Sequence, residues 1–586
     1  MKNGLYALAS LDGAPLDRGD LLVMGLDADT DPSVATCMIA ARDRDASASH
    51  VRRHADGIDA FLGYLDEPAD AADRLGLPRG TPPLTLACAA FDRFGEECAT
   101  TLLGLWTLAR WHAPSRTMSL VTTSPVRDRC YVATNGRRLA IAPELLRLAR
   151  LDWVDDTLDP RGVLLTLGRA PLRRALGRTT IVAAIKTAAP GARLIVRGGE
   201  VRSVVARRPS PPAPIEEPFD AWMERIEAQL RLILRQWSRR HGRMALMLSG
   251  GLDSSLLAMI AALECGPDAI LALTSAAPPG SGLPDEAGRA NETAAYLGIA
   301  IERIMPPPTS SVYRPSERIL RDIERPAFSP RHSLDEAFVE ATEMHGLGVL
   351  LNGGGGEYGV SSHGRTLDRT SPGARLRNLA RAARDRLRPA TVESWPEAGF
   401  HPRLSRAAID GLPADFEALS QQGALVPHRL RPKDPLGFDP GIGKVAAAPT
   451  STVSPTVRSL TPLMDRRFSA LMAAMPAGFA IRDGMTRAPA RALMRDRLPV
   501  AVARRTKGMP FSPSYDGMMS SQAGGALDRL ALHRAAGADE WIDLDWMETT
   551  LRHRARESTS DVDRNFELQM TVLAAEFFTW WRSLRR

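Results

Sequence analysis

Apolar and polar positions follow two different rhythms along this 586-residue chain. Up to about residue 205 the apolar stretches are short and cut by turn signals: TLACAAF (85–91), MSLVTT (118–123), CYVATNGRRLAIA (130–142) and ARLIVRGGEVRSVVA (192–206). Alternating runs bounded by Gly and Asn read as strands, and Asn135-Gly136 between two such runs reads as a hairpin. This half is expected to be β-rich, with a few helices. The Pro-rich stretch ARRPSPPAPIEEP (206–218) then reads as a linker. Beyond it, 217–240 has the apolar spacing of an amphipathic helix. Strands follow at 244–248, 269–275, 299–305 and 349–352, with helices from residue 253 and over 285–297. Strands alternating with helices predict a parallel sheet covered on both faces. From about 370 onward the pattern is mainly helical and Arg-rich, and 363–460 carries many Pro and polar residues suited to loops.

Three domain-level pieces follow: 1–205, a linker at 206–218, and 219–586. The length and the 44% hydrophobic content suit a multidomain globular chain. No run of about eighteen apolar residues is present, so no membrane span is expected. The first twenty residues make a poor signal peptide, because Asp12 interrupts any apolar core. Five scattered cysteines without CxxC spacing offer neither a disulfide framework nor a zinc site, and a cytoplasmic location is expected. The net charge of +7 comes almost wholly from arginine: lysine occurs only at 2, 186, 433, 444 and 507. A lysine inside a motif therefore stands out against the background.

The stretch LMLSGGLDSSLLA (246–258) carries the most chemistry. A strand ends at Leu248 and a helix begins near Asp253. Gly250 and Gly251 permit a tight turn in which backbone N–H groups approach an anion. The helix N-terminus adds its partial positive charge and free donors. Ser249, Ser254 and Ser255 add hydroxyls. Asp253 beside phosphate is understandable if it holds Mg²⁺, a hard cation that favours carboxylate oxygen. No Gly-Lys-[Ser/Thr] follows, so this is not a Walker A loop.

SGGLDSS resembles the pyrophosphate loop of the ATP-pyrophosphatase superfamily, whose members form acyl-adenylates and release pyrophosphate. The rest of the chain resembles the asparagine synthetase-like family over nearly its full length. In the first half the resemblance rests on FDRFGEECATTLLGLWTLARW (91–111), PVRDRCYVATNGRRLAIAPE (125–144) and GRTTIVAAIKTAAPGARLIV (177–196). In the second it rests on PDEAGRANETAAYLGI (284–299), LLNGGGGEYGV (350–360) and TRAPARALMRDRLPVAVARRTKGMPF (486–511). The fold implied is α/β: an N-terminal degenerate glutaminase-like αββα domain, then a doubly wound parallel-sheet ATP-pyrophosphatase domain with a helical extension. The resemblance implies ATP phosphates on Ser249–Ser255, with the base near Leu248 and Leu273. Asn352, Gly353 and Gly354 would close the other side. It also implies Mg²⁺ on Asp253 and Glu357, and Lys507 as the cation that stabilises charge on the acyl phosphate and leaving group.

Two departures narrow the reaction. Family glutaminases use a Cys directly after the initiator Met; here Lys2-Asn3-Gly4 stands there, and no Cys precedes Cys37. The N-terminal half is therefore not expected to release ammonia. The family pattern Ser-Gly-Glu-Gly-x-Asp-Glu is met by Asn352-Gly353-Gly354-Gly355-Gly356-Glu357-Tyr358. Glu357 falls on the metal-binding Asp, and Gly354 replaces the acidic residue. Tyr358 and His363 are nearby alternative bases. A chain without the glutaminase Cys resembles β-lactam synthetases, carbapenam synthetases and lasso peptide cyclases (macrolactam synthetases). The glycine run, the Arg-rich surface and the long C-terminal part favour a lasso cyclase. Its partners would be a precursor peptide, a leader peptidase and a leader-recognition protein. A small-molecule amide or β-lactam synthetase and an ammonia-dependent asparagine synthetase stay open. A tRNA-modifying enzyme suits the basic charge but not the glutaminase-like first half, so no nucleic-acid partner is expected.

Overall fold

The computed structural model describes all residues except 1, 27–35, 44–45, 124–129, 170–171, 174, 189–190, 207–214, 278–286, 308, 327–328, 363–398, 425–453, 455, 506–514, 557–561 and 585–586. Lys507, His363 and most of the loop-rich 363–460 region fall outside the described residues. By contacts the chain divides into two units. One holds Met1–Ser210 with Glu317–Phe328 and Phe438–Thr456; the other holds Pro211–Ser316, Ser329–Gly437 and Val457–Arg586.

The first unit is a sandwich of two antiparallel sheets. One sheet has the order β2-β1-β8-β7-β9, from β1 (Gly4–Ser10), β2 (Cys37–Arg42), β7 (Tyr131–Thr134), β8 (Arg138–Ala142) and β9 (Ile185–Thr187). The other runs β11-β10-β6-β5-β4-β3, from β3 (Ser49–His54), β4 (Gly57–Leu65), β5 (Gly104–His112), β6 (Thr117–Thr122), β10 (Ala192–Arg197) and β11 (Glu200–Val205). Alternation sets the layers. Ile58, Ala60 and Leu62 of β4 face Leu5, Ala7 and Ile141 of the other sheet. Phe61 and Leu65 face outward, onto α1 (Pro68–Leu75) and α2 (Pro83–Phe94). The Asn135-Gly136 hairpin forms as expected, with Gly136 at φ 89°. TLACAAF is a helix, not a strand: it lies in α2, started by Pro82-Pro83 and built from Ala and Leu, which favour helix.

The start of β1, where a family glutaminase would carry its nucleophile, is tied down in this unit. The Lys2 ammonium donates to the Arg321 carbonyl at 2.6 Å and lies 3.5 Å from the Asp322 carboxylate. The Lys2 amide donates to Glu144, and the Tyr6 hydroxyl donates to the Lys2 carbonyl. Nearby, Glu324 accepts the amides of Leu145 and Leu146.

The second unit is built on a five-stranded parallel sheet, order β14-β13-β12-β15-β16. Its strands are β12 (Met244–Met247), β13 (Ile270–Ser275), β14 (Ala300–Ile304), β15 (Val349–Leu351) and β16 (Arg458–Leu460). The first four match the apolar runs read from the sequence; β16 was not foreseen, because Arg-Ser-Leu holds a single apolar residue. Helices α3 (Phe219–His241), α4 (Leu252–Cys265), α5 (Ala287–Leu297) and α6 (His332–Met344) cover the sheet, and α7 (Ala488–Met494) packs on α3 and α4. The C-terminal extension is helical: α8 (Tyr515–Leu527), α9 (Leu544–Arg556) and α10 (Val562–Ser583) pack on one another. Among the described residues no helix is long and apolar enough to cross a membrane. The strand order reverses between β12 and β15, and in open α/β sheets the crevice at such a point takes ligands.

Candidate functional site

Two loops flank that crevice: Leu248–Leu252 after β12 and Asn352–Ser361 after β15. Leu248 still belongs to the sheet, since its amide donates to the Leu273 carbonyl at 2.8 Å. Both leucines are fully buried. Their side chains are core, so a nucleobase could be met there only by backbone. Gly250 then turns at φ 64°. A Cβ on it would lie 2.8 Å from the Arg289 backbone, so both conformation and space require glycine. The serines brace the turn from within. The Ser249 amide donates to Ser254 Oγ at 3.2 Å, and the Gly251 amide reaches Ser249 Oγ at 3.3 Å. Ser255 is buried, and its hydroxyl has no hydrogen-bond partner.

Asn352 shapes the second loop. Its side-chain carbonyl accepts the Gly354 amide at 3.0 Å and the Thr461 hydroxyl at 3.2 Å, and its amide donates to Ser459 Oγ at 3.1 Å. Asn352 is thus committed to closing β15 onto β16. Gly355 continues at φ 85° against Met464. The two loops meet at Asp253. A Cβ on Gly353 would lie 3.0 Å from the Ser254 amide, and one on Gly356 would lie 2.1 Å from Asp253 Oδ1. Glycine at 356 is a matter of room for a carboxylate.

The Asp253 carboxylate is raised above the usual range by burial, and the nearby Glu357 charge adds to this; a hydrogen bond from Ser361 and the Arg487 charge oppose it. Among the described residues its buried Oδ1 has no hydrogen-bond partner. A group that costs free energy in this state is understandable when a cation completes it. Glu357 is exposed, as are Tyr358 and Gly354. Among the described residues no third His, Cys, Asp or Glu joins Asp253 and Glu357 in a metal-binding group. Two carboxylates suffice for Mg²⁺, which usually takes its other ligands from water and phosphate.

The structure therefore brings Ser249, Gly250, Gly251, Asp253, Ser254, Ser255, Asn352, Gly353, Gly354 and Glu357 to one end of the sheet. Lys507 is not described; the chain before it is described as far as Arg505. Arg505 is buried, and its guanidinium donates to the carbonyls of Ser249 and Gly250, on the phosphate loop itself. Arg491 in turn donates to the carbonyls of Thr486, Ala503 and Arg505. Sequence reading missed Ser361, Arg487, Arg491 and Arg505. In an arginine-rich chain their side chains carry no distinguishing signal; only the position of Arg505 two residues before Lys507 could have pointed to it.

The asparagine synthase family profile matches residues 226–429 and 445–582, more than half of the chain. No curated protein matches the chain. Structure comparison finds the glutamine phosphoribosylpyrophosphate amidotransferase of B. subtilis complexed with ADP and GMP, at 11% identity and TM-score 0.22, over 53% of this chain and 61% of that one. It also finds glutamine-dependent NAD⁺ synthetase of Acinetobacter baumannii in complex with ADP, at 16% identity and TM-score 0.18, over 34% and 41%. The chain thus spans less than two thirds of either structure, and likenesses this remote bear on neither substrate nor partner. The profile match carries the assignment: the chain belongs to the asparagine synthase family.

Proposed function

We propose that the protein is a macrolactam synthetase of the lasso peptide cyclase kind. It would adenylate an Asp or Glu side chain of a core peptide and join it to the peptide's own N-terminal amine. The carboxylate oxygen attacks the α-phosphorus of ATP and pyrophosphate leaves. The amine nitrogen then attacks the acyl carbon, AMP leaves with the bonding pair, and the amine proton is lost to solvent. The peptide ends lighter by one water.

One observation carries this reading. At Gly354, where the asparagine synthetases it resembles carry an acidic residue and β-lactam synthetases a Tyr, a Cβ would stand 2.9 Å from Asn352 Oδ1 and 3.7 Å from the Thr461 methyl. The position is exposed and brings no acid of its own to the loop. A peptide α-amine, with an intrinsic pKa near 8, is neutral often enough at pH 7 to need little help from a base. Holding it against the acyl carbon is worth about 7–11 kcal/mol.

Asp253 and Glu357 are the residues that would hold Mg²⁺, which bound there would neutralise phosphate charge. Ser249–Ser255 would hold the phosphates by backbone amides and hydroxyls, and Lys507 would stabilise charge in both transition states. A precursor peptide, and a leader peptidase with its recognition protein, are the partners this reading requires. The test is pyrophosphate release with a leader-free peptide carrying an internal Asp or Glu, against aspartate plus ammonia. Peptide-dependent release with loss of one water is expected. Release with aspartate alone would make the protein an ammonia-dependent asparagine synthetase. Release with neither would point to a small-molecule amide or β-lactam synthetase.

A further inference from the structure

The carbonyls behind the phosphate loop are as informative as the amides in front of it. For the N–H groups of Gly250 and Gly251 to converge on an anion, the carbonyls of the same peptide units, Ser249 and Gly250, must point away. Both are met by one buried guanidinium, that of Arg505, at 3.4 Å for Ser249 and closer for Gly250. Arg505 is itself held by its own carbonyl, which accepts from Arg491, as does that of Ala503. Arg491 is partly buried, which pulls its basicity down, and it donates from all three of its nitrogens to backbone oxygens. Two arginines thus connect the strand-end turn at 249–250 to the segment that continues into Lys507.

We propose that Arg505 is a positioning residue for the β- and γ-phosphates of ATP, acting through the loop. A cation hydrogen-bonded to a peptide carbonyl polarises that peptide, and its N–H becomes a stronger donor to an anion. The peptides concerned are 249–250 and 250–251. In a trans peptide the N–H points opposite its carbonyl, so both N–H groups face away from Arg505, and that of Gly251 meets Ser249 Oγ at 3.3 Å. The guanidinium also places a full positive charge behind the turn, where burial leaves it little screened. Both bonds come from one terminal nitrogen, Nη1, so lysine can bring the charge but not the length and planar shape of the guanidinium that carry that nitrogen to the turn.

The inference rests on the ATP-binding reading of the loop, and the experiment separates the two. Binding of ATP, inorganic pyrophosphate and AMP to the full-length protein is measured by calorimetry, for the parent, Arg505→Gln and Arg505→Lys. For Arg505→Gln the expected result is at least a tenfold loss for ATP and pyrophosphate, with AMP within about twofold of the parent. Arg505→Lys, read also if the Gln variant does not fold, is expected to recover part of the loss, again with AMP unaffected. Equal weakening of all three ligands would mean a merely structural arginine and overturn the inference, as would unchanged pyrophosphate binding. A parent that binds neither ATP nor pyrophosphate would remove the ATP reading, and the inference with it.

Discussion

The start of β1 and the turn after β12 treat polar groups in opposite ways. At Lys2 the ammonium, the amide and the carbonyl are each engaged, with Arg321, Asp322, Glu144 and Tyr6. At Asp253 a carboxylate oxygen is buried with nothing to meet it, and glycine is the only residue that fits against it. A satisfied cluster adds stability and asks for no ligand. An unsatisfied one costs stability and is retained where a ligand completes it. In the first unit a lysine cluster is satisfied from within; in the second the buried carboxylate is left to be completed.

The largest test of that contrast is Asp253→Asn. Pyrophosphate release is expected to fall about a thousandfold, while the melting temperature at pH 7.5 stays level or rises, because burial already disfavours the Asp253 carboxylate. A fall in both would make Asp253 a structural residue like Lys2.

Asp335 sharpens the point. It too is a buried carboxylate with an unpartnered oxygen, but Arg331 pairs with it and no glycine loop packs on it. Burial raises it from 3.8 to about 6. The folded state therefore holds the proton more tightly than the unfolded chain. The stability this gives is complete below about pH 3.8 and is lost as the pH rises through about 6. Asp335→Asn is expected to be more stable than the parent by roughly 2–3 kcal/mol at pH 8 and nearly equal to it at pH 4. Denaturant midpoints at the two pH values check this.

Gly356→Ala addresses the same carboxylate from the other side. A methyl 2.1 Å from Asp253 Oδ1 must displace it, and about a tenfold loss of kcat/KM is expected, with little change in melting temperature. A silent substitution would show that the carboxylate position does not matter. Last, Lys2→Met is expected to lower stability by about 1 kcal/mol, since the loss leaves the mostly buried Asp322 without its ammonium. Pyrophosphate release per folded molecule should be unchanged.

Much of this contrast was legible in the sequence, for physical reasons. The runs at 244–248 and 269–275 are buried on both faces, so they are continuously apolar and easy to see. SGGLDSS is legible because each residue type answers a separate demand of anion binding. TLACAAF left its element open because a seven-residue apolar run has no decisive period; its Ala content and preceding prolines decide for helix. Strand β16 is too short to carry a pattern. Lys2 was read as the absence of a cysteine; its partner Asp322 is 320 residues away, and no local signal links the two. Arg505 was hidden by abundance, since one arginine among many differs only by the two carbonyls it meets.

The central claim is that this ligase closes a peptide on itself. The measurement that tests it most directly is mass spectrometry of a leader-free peptide with an internal Asp or Glu, incubated with the protein, ATP and Mg²⁺, with pyrophosphate followed in the same reaction. The account predicts one pyrophosphate released per peptide lightened by one water, and no such product when the N-terminal amine is acetylated. Pyrophosphate released with aspartate and ammonia, and none with the peptide, would contradict it.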